Sequence, residues 1–166
     1  MVLALSGPLA AATGLPPVEV PPVRDLGAAA RLAEAGCRPL LLEFAAESCE
    51  YCDLLEEEIL KPLLRNRDYD RRVLIRKVDI DDPETLKGFD GAPLGGAALA
   101  DRYDVSVTPT LLFLDSAGRE LSRRMVGITT PEMYGWYLDQ ALDEARRKLR
   151  QGGRCPGDTG TPDDAG

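Results

Sequence analysis

Cys49 and Cys52 are the residues whose type and spacing suit covalent chemistry: two thiols three positions apart in Ser48-Cys49-Glu50-Tyr51-Cys52. The apolar run Leu40-Leu41-Leu42-Glu43-Phe44-Ala45 precedes them and a leucine-rich helical pattern follows, so the pair falls at a strand-to-helix junction. A sulfur at a helix N-terminus meets free backbone N–H groups and the positive end of the dipole, and both favour a thiolate. The second sulfur, one turn further in, can attack a mixed disulfide formed by the first. This is the layout of a redox dithiol. Half a zinc site is the first competing reading, but Cys37 and Cys155 stand alone and the chain has no His. A purely structural bridge is the second, and an i to i+3 closure constrains the unfolded chain little. Redox chemistry is carried forward, with no metal and no other cofactor.

The elements around the dithiol can be read in chain order. At 166 residues and 44% hydrophobic, the chain suits one domain with spare sequence at its ends. Twenty basic against twenty-eight acidic residues give a net charge of -8, and no basic run interleaved with aromatics appears, so nucleic acid is not expected as a partner. Residues 1–12 are apolar and end in Ala10-Ala11-Ala12, like the hydrophobic and cleavage regions of a secretory signal without its basic start. Export to the periplasm or another extracytoplasmic space is the expectation, with a cytoplasmic location as the alternative. Pro16, Pro17, Pro21 and Pro22 mark an extended linker or arm, so residues 1–22 are assigned to a signal remnant and linker, 23–150 to the folded domain and 151–166 to a disordered tail.

Asp25 is placed to cap a helix that buries Leu26, Ala29, Ala30 and Ala33 and stops at Gly36. Cys37, just beyond, reads as a small half-buried hydrophobe, and Cys155 in the tail as incidental. Glu43 interrupts an otherwise continuous apolar strand. Buried, it would hold its proton tightly and could exchange one with Cys52; at the strand margin it would simply face solvent, and the pattern leaves both readings open. Past the cysteines, Glu56, Glu57 and Glu58 read as a solvated helix face and Pro62 as a kink. Glu47, Glu50, Asp53 and Glu56 crowd the cysteines with negative charge, which disfavours a thiolate.

Val73 to Asp81 reads as a second strand, parallel to the first, and its Lys77 needs an anion, for which Glu43 is the nearest candidate. Asp82-Pro83-Glu84 starts a turn or short helix, Gly88 to Gly96 is a loop, and Ala97 to Tyr103 a short helix. Thr108-Pro109 stands immediately before the apolar strand Thr110 to Asp115, where a proline belongs because it lacks a ladder donor; its cis or trans state is open on spacing alone. A hairpin turn at Asp115 to Gly118 leads to a strand from Leu121 to Val126, and Thr130-Pro131-Glu132 opens a final helix burying Tyr134, Leu138, Ala141, Leu142, Ala145 and Leu149.

From about Asp25 to Leu149 this pattern resembles the thioredoxin superfamily. The resemblance rests on the strand–Cys49-Glu50-Tyr51-Cys52–helix unit, Pro62, Val107-Thr108-Pro109-Thr110 before the apolar strand, and the hairpin ending at Gly127. It implies an α/β fold with a central mixed sheet of about four to five strands flanked by helices. It further implies that Cys49 is the attacking thiol, Cys52 the resolving thiol and Pro109 a cis-proline, with Thr108 offering backbone to a substrate chain. Glu43 and Lys77 then correspond to the buried acid of thioredoxins and its lysine partner. Departures lie at the motif itself: Ser48 stands where thioredoxins have Trp, and Glu50-Tyr51 replaces Gly-Pro. The intervening tyrosine resembles periplasmic disulfide isomerases, and the acidic helix with its N-terminal extension is similar to exported thioredoxin-like proteins of sulfur oxidation or cytochrome maturation.

The activity expected is that of a monomeric extracytoplasmic thiol-disulfide oxidoreductase, acting on protein thiols and disulfides as a reductase or thiol carrier. Cys49, Cys52, Glu43 and Lys77 would carry the chemistry, and Thr108, Pro109, Tyr51 and Glu50 would meet the substrate. A membrane or thioredoxin-type donor would resupply electrons. The alternatives are an oxidase or isomerase, and a polypeptide-binding module without turnover; a metallochaperone is disfavoured by the lack of His and Met near Cys49. The acidic surroundings place the expected potential nearer about -270 mV than the oxidising end near about -120 mV.

Overall fold

A computed structural model describes residues 17–153 and Cys155. The signal-like segment 1–12 and most of the tail lie outside those residues. In chain order the elements are α1 (Leu26–Ala35), β1 (Leu40–Ala45), α2 (Glu50–Leu55), a π-helical turn (Glu56–Leu60), α3 (Lys61–Arg65), α4 (Arg67–Asp70), β2 (Leu74–Asp79), β3 (Leu86–Lys87), β4 (Pro93–Leu94), α5 (Gly96–Arg102), β5 (Thr110–Leu114), β6 (Met125–Val126) and α6 (Pro131–Gln151).

The main sheet has the order β2-β1-β5-β6. Strand β1 runs parallel to β2, as the intervening helices require, and antiparallel to β5, while β5 and β6 are antiparallel. Every residue of β1 is buried, which follows from its place at the centre of a sheet covered on both faces. Alternation along the strands sorts the core into two layers. Leu40, Leu42 and Phe44 pack with Leu112, Leu114, α1 and Leu99 of α5. Leu41 packs on the opposite face with Leu111, Phe113, Leu55, Leu60 and the Leu138 and Leu142 stripe of α6. Glu43 and Lys77 share that second face by the same alternation, and they are register partners.

Local sequence explains most element ends. Asp25 accepts a 2.7 Å hydrogen bond from the Ala28 N–H and caps α1. The buried stripe of α6 is Tyr134, Leu138, Ala141, Leu142, Ala145 and Leu149. Gly96 opens α5 hard against β2, where an added Cβ would lie 2.3 Å from the Asp79 carbonyl oxygen. The stretch from Gly88 to Gly96, read as loop, carries β4 and pairs it with β3 in a small hairpin.

Besides that hairpin, four features add to or depart from the sequence expectation. Pro62 does not stand at a simple kink: the helix widens to a π turn over Glu56–Leu60 before α3 begins. The Lys61 N–H donates to the Glu56 carbonyl five residues back, and the wider turn makes room for a ring that would otherwise press on the carbonyl four residues earlier. The strand expected from Leu121 to Val126 shrinks to β6. Leu114 bridges Glu120 and Leu111 pairs Met125, so the four residues 121–124 lie opposite only 112 and 113, and the ladder bulges there. The proline-rich arm is not free-running where it is described: the Lys77 N–H donates to the Pro21 carbonyl (2.9 Å), the Val23 N–H donates to the Lys77 carbonyl (2.8 Å), and Val20 is buried. Prolines forbid donors, but their carbonyls still cover the outer edge of β2.

The fourth difference is covalent. Cys37 and Cys155, read as a lone hydrophobe and an incidental tail residue, are joined in a disulfide across 118 positions. Cys155 also packs against the α6-side core, so this residue, beyond the end of α6, is held to the α1–β1 connection.

Candidate active site

Strand β1 ends at Ala45, and the chain turns through Ser48, whose φ of 56° is left-handed, to set Cys49 at the N-cap of α2. The Cys49 sulfur accepts the Cys52 N–H at 3.2 Å, as a capping oxygen would. Cys49 is half-buried and Cys52 buried, and the two are joined in a disulfide. The half-buried Cys49 can therefore be approached from outside while the second sulfur stays covered. The Thr108 hydroxyl donates to the Cys49 sulfur at 3.6 Å, bringing together two sequence features 59 positions apart. The Thr108–Pro109 peptide is cis, and Pro109 is buried. Tyr51 is 63% exposed and Val107 48%, giving an apolar rim beside the sulfurs. Glu50 and Asp53, both exposed, lie in the first turn of α2, where carboxylates oppose thiolate formation at Cys49.

Beneath this surface lies a buried charged cluster. Glu43 is fully buried, and neither carboxylate oxygen has a hydrogen-bond partner among the described residues. Burial, and next the charge of Glu56, push its pKa from 4.5 to about 8, against a smaller opposing pull from Lys77. The expected Glu43–Lys77 pair does not form. The Lys77 ammonium instead donates to Glu56 Oε1 at 2.7 Å. Glu56 is thus not on a solvated face: it is buried, one helical turn after Cys52 and on the same side. The sequence held a signal for this, since Cys52, Leu55, Glu56, Ile59 and Leu60 follow helical spacing and Glu56 falls within the apolar stripe. Glu57 and Glu58 are exposed, and Glu57 pairs with Lys61 at 2.6 Å. Tyr134 of α6 completes the surroundings: its hydroxyl is buried without a partner, and burial with the nearby Glu43 charge raises its pKa.

These are the parts of a disulfide-exchange site: a half-buried sulfur at a helix N-terminus, a buried sulfur bonded to it and the cis Thr108–Pro109 peptide beside them, with an ionisable group in the core. The thioredoxin-like domain family matches residues 26–142. Among solved structures, Trxlp from Edwardsiella tarda is 28% identical with a TM-score of 0.52, covering 72% of this chain and 98% of its own. Oxidised thioredoxin O2 from Arabidopsis thaliana is 22% identical with a TM-score of 0.52, covering 74% of this chain and 94% of its own. The thioredoxin of Malassezia sympodialis is 17% identical with a TM-score of 0.53, covering 80% and 95%. No curated protein matches the chain. With the family spanning both cores and the Cys49–Cys52 disulfide at the expected junction, the chain belongs to the thioredoxin-like domain family and is a thiol-disulfide oxidoreductase.

Proposed function

We propose that the protein reduces protein disulfides, or carries thiol electrons, outside the cytoplasm. The observation that carries this reading is the Cys49 sulfur at the N-cap of α2, in contact with Thr108 and backed by a buried Cys52. In the reduced protein the Cys49 thiolate attacks a substrate disulfide; one substrate thiolate leaves and a mixed disulfide forms. Cys52 then attacks the Cys49 sulfur, closes the Cys49–Cys52 bond and releases the second substrate thiolate, so that two electrons pass to the substrate. Glu43 takes up or returns the Cys52 proton, while Thr108 and Pro109, with Tyr51 and Glu50 at the rim, receive the extended substrate chain. A dithiol donor restores the reduced pair.

The extracytoplasmic location is supported by the Cys37–Cys155 bond, since a disulfide away from the active site is at home in an oxidising compartment. The reductive direction is supported by Glu50 and Asp53, which disfavour the thiolate of Cys49 and so the reduced form of a strongly oxidising couple. The test is reduction of insulin disulfides with dithiothreitol as electron source. Wild-type protein should accelerate it and Cys49→Ser should not; equal rates for the two would overturn the proposal.

A further inference from the structure

The ion pair between Lys77 and Glu56 leaves Glu43 in a position that the exchange reaction has to account for. Glu43 and Lys77 are direct cross-strand neighbours on the face covered by α2 and α6, where a pair between them would need no helix residue at all. The ammonium instead lies 2.7 Å from Glu56, carried over the strands by the π turn. The groups around Glu43 are Lys77 from β2, Leu111 from β5, Glu56 from the π turn and Tyr134 from α6. One cation thus faces two buried carboxyl groups, and its ion pair is with Glu56.

We propose that Glu56 is a positioning residue that captures the Lys77 ammonium, so that the proton exchange already assigned to Glu43 under the proposed function starts from a carboxylic acid with no ion-pair partner when the Cys49–Cys52 bond opens. Cys52 and Glu56 lie one turn apart on the buried side of one helical run, and Leu55 and Leu60 of that run share a core cluster with Leu41, which is on the Glu43 face of β1. When a donor thiolate attacks the Cys49 sulfur, the Cys49–Cys52 bond breaks and its electron pair leaves on Cys52. The Glu43 proton neutralises that thiolate, and Glu43 becomes a carboxylate near Lys77. In the opposite half-reaction the Glu43 carboxylate takes the proton back as Cys52 closes the bond. The burial of Glu43 and the charge of Glu56 agree with an acid that is neutral at rest.

The role of Cys52 in this scheme rests on the proposed exchange function, whereas the capture of Lys77 can be read without turnover. The experiment is infrared titration of the protonated-carboxyl band in the oxidised protein, assigned by its loss in Glu43→Gln. Wild-type protein should keep the band at pH 7. Glu56→Gln, which retains shape and an acceptor for Lys77 but removes the charge, should move the midpoint down by about one pH unit or more, and the pH profile of thiol-driven opening of the disulfide should move with it. No band in wild type at pH 7, or a midpoint unmoved by Glu56→Gln, overturns the proposal. A band that moves as stated in a protein that fails to exchange thiols upholds the capture and overturns the functional reading alone. If Glu56→Gln does not fold, Glu56→Leu, which continues the apolar stripe, takes its place: the same downward midpoint shift upholds the proposal and an unmoved midpoint overturns it.

Discussion

The two disulfides stand beyond opposite ends of β1 and show how the same bond is put to different uses. Cys49–Cys52 closes a span of 3 positions, sits at a helix N-terminus and touches the Thr108 hydroxyl. Cys37–Cys155 closes 118 positions and joins the segment after α6 to the α1–β1 connection at Cys155. A short closure adds little to stability but leaves the sulfurs poised to exchange, whereas a long closure restricts the unfolded chain strongly. Helix-terminal N–H groups favour a thiolate at the first pair, and the proton exchange proposed for Glu43 would serve it. The second pair has neither a helix N-terminus nor a buried carboxylate among its described contacts.

The largest effect should come from breaking the short bridge. Cys49→Ser is expected to reduce exchange by about a thousandfold or more, and Cys52→Ser to accumulate a mixed disulfide on Cys49 that mass spectrometry detects. Cys37→Ser with Cys155→Ser should leave the exchange rate nearly unchanged while lowering stability by about 2–5 kcal/mol in denaturant titration.

Glu43 sharpens the contrast further. Its folded pKa of about 8 lies above the unfolded value of 4.5, so the folded state binds the extra proton and stability falls as pH rises across that window. Glu43→Gln should therefore leave stability at pH 4 almost unchanged and raise it at pH 9 by on the order of a few kcal/mol, read by thermal or chemical unfolding at the two pH values. The same variant should slow exchange by about tenfold or more. The smallest effect is expected from Glu50→Gln with Asp53→Asn: relieving the charge near Cys49 should raise the potential of the short bridge by about 10–30 mV.

Much of this arrangement is legible in the residues. Continuous apolar spacing marks β1 and β5, the Cys49–Cys52 interval marks the start of α2, and the stripe from Tyr134 to Leu149 marks α6, because each element's own burial writes its period into the sequence. The features that escape it depend on distant partners. Nothing in the spacing of Cys37 and Cys155 encodes their pairing, and a Gly, Pro and Asp-rich tail carries no apolar pattern to show that Cys155 is anchored. Glu43 and Lys77 are correctly placed opposite one another by strand pairing, yet a helix residue takes the lysine. Three adjacent glutamates look uniform by charge; only their phase against Cys52 and Leu55 separates the buried Glu56 from its exposed neighbours. The prolines of the arm likewise signal a linker, while edge pairing through their carbonyls leaves no trace in composition.

The most direct test is to equilibrate the purified protein against graded thiol-disulfide buffers, alkylate the free thiols and resolve the two bridges by mass spectrometry. Cys49–Cys52 should open first, with a potential of about -270 mV, while Cys37–Cys155 stays closed to below about -300 mV. A Cys49–Cys52 couple near about -120 mV, or a Cys37–Cys155 bridge that opens before it, would contradict the division of labour between the two bonds and the reductive direction built on it.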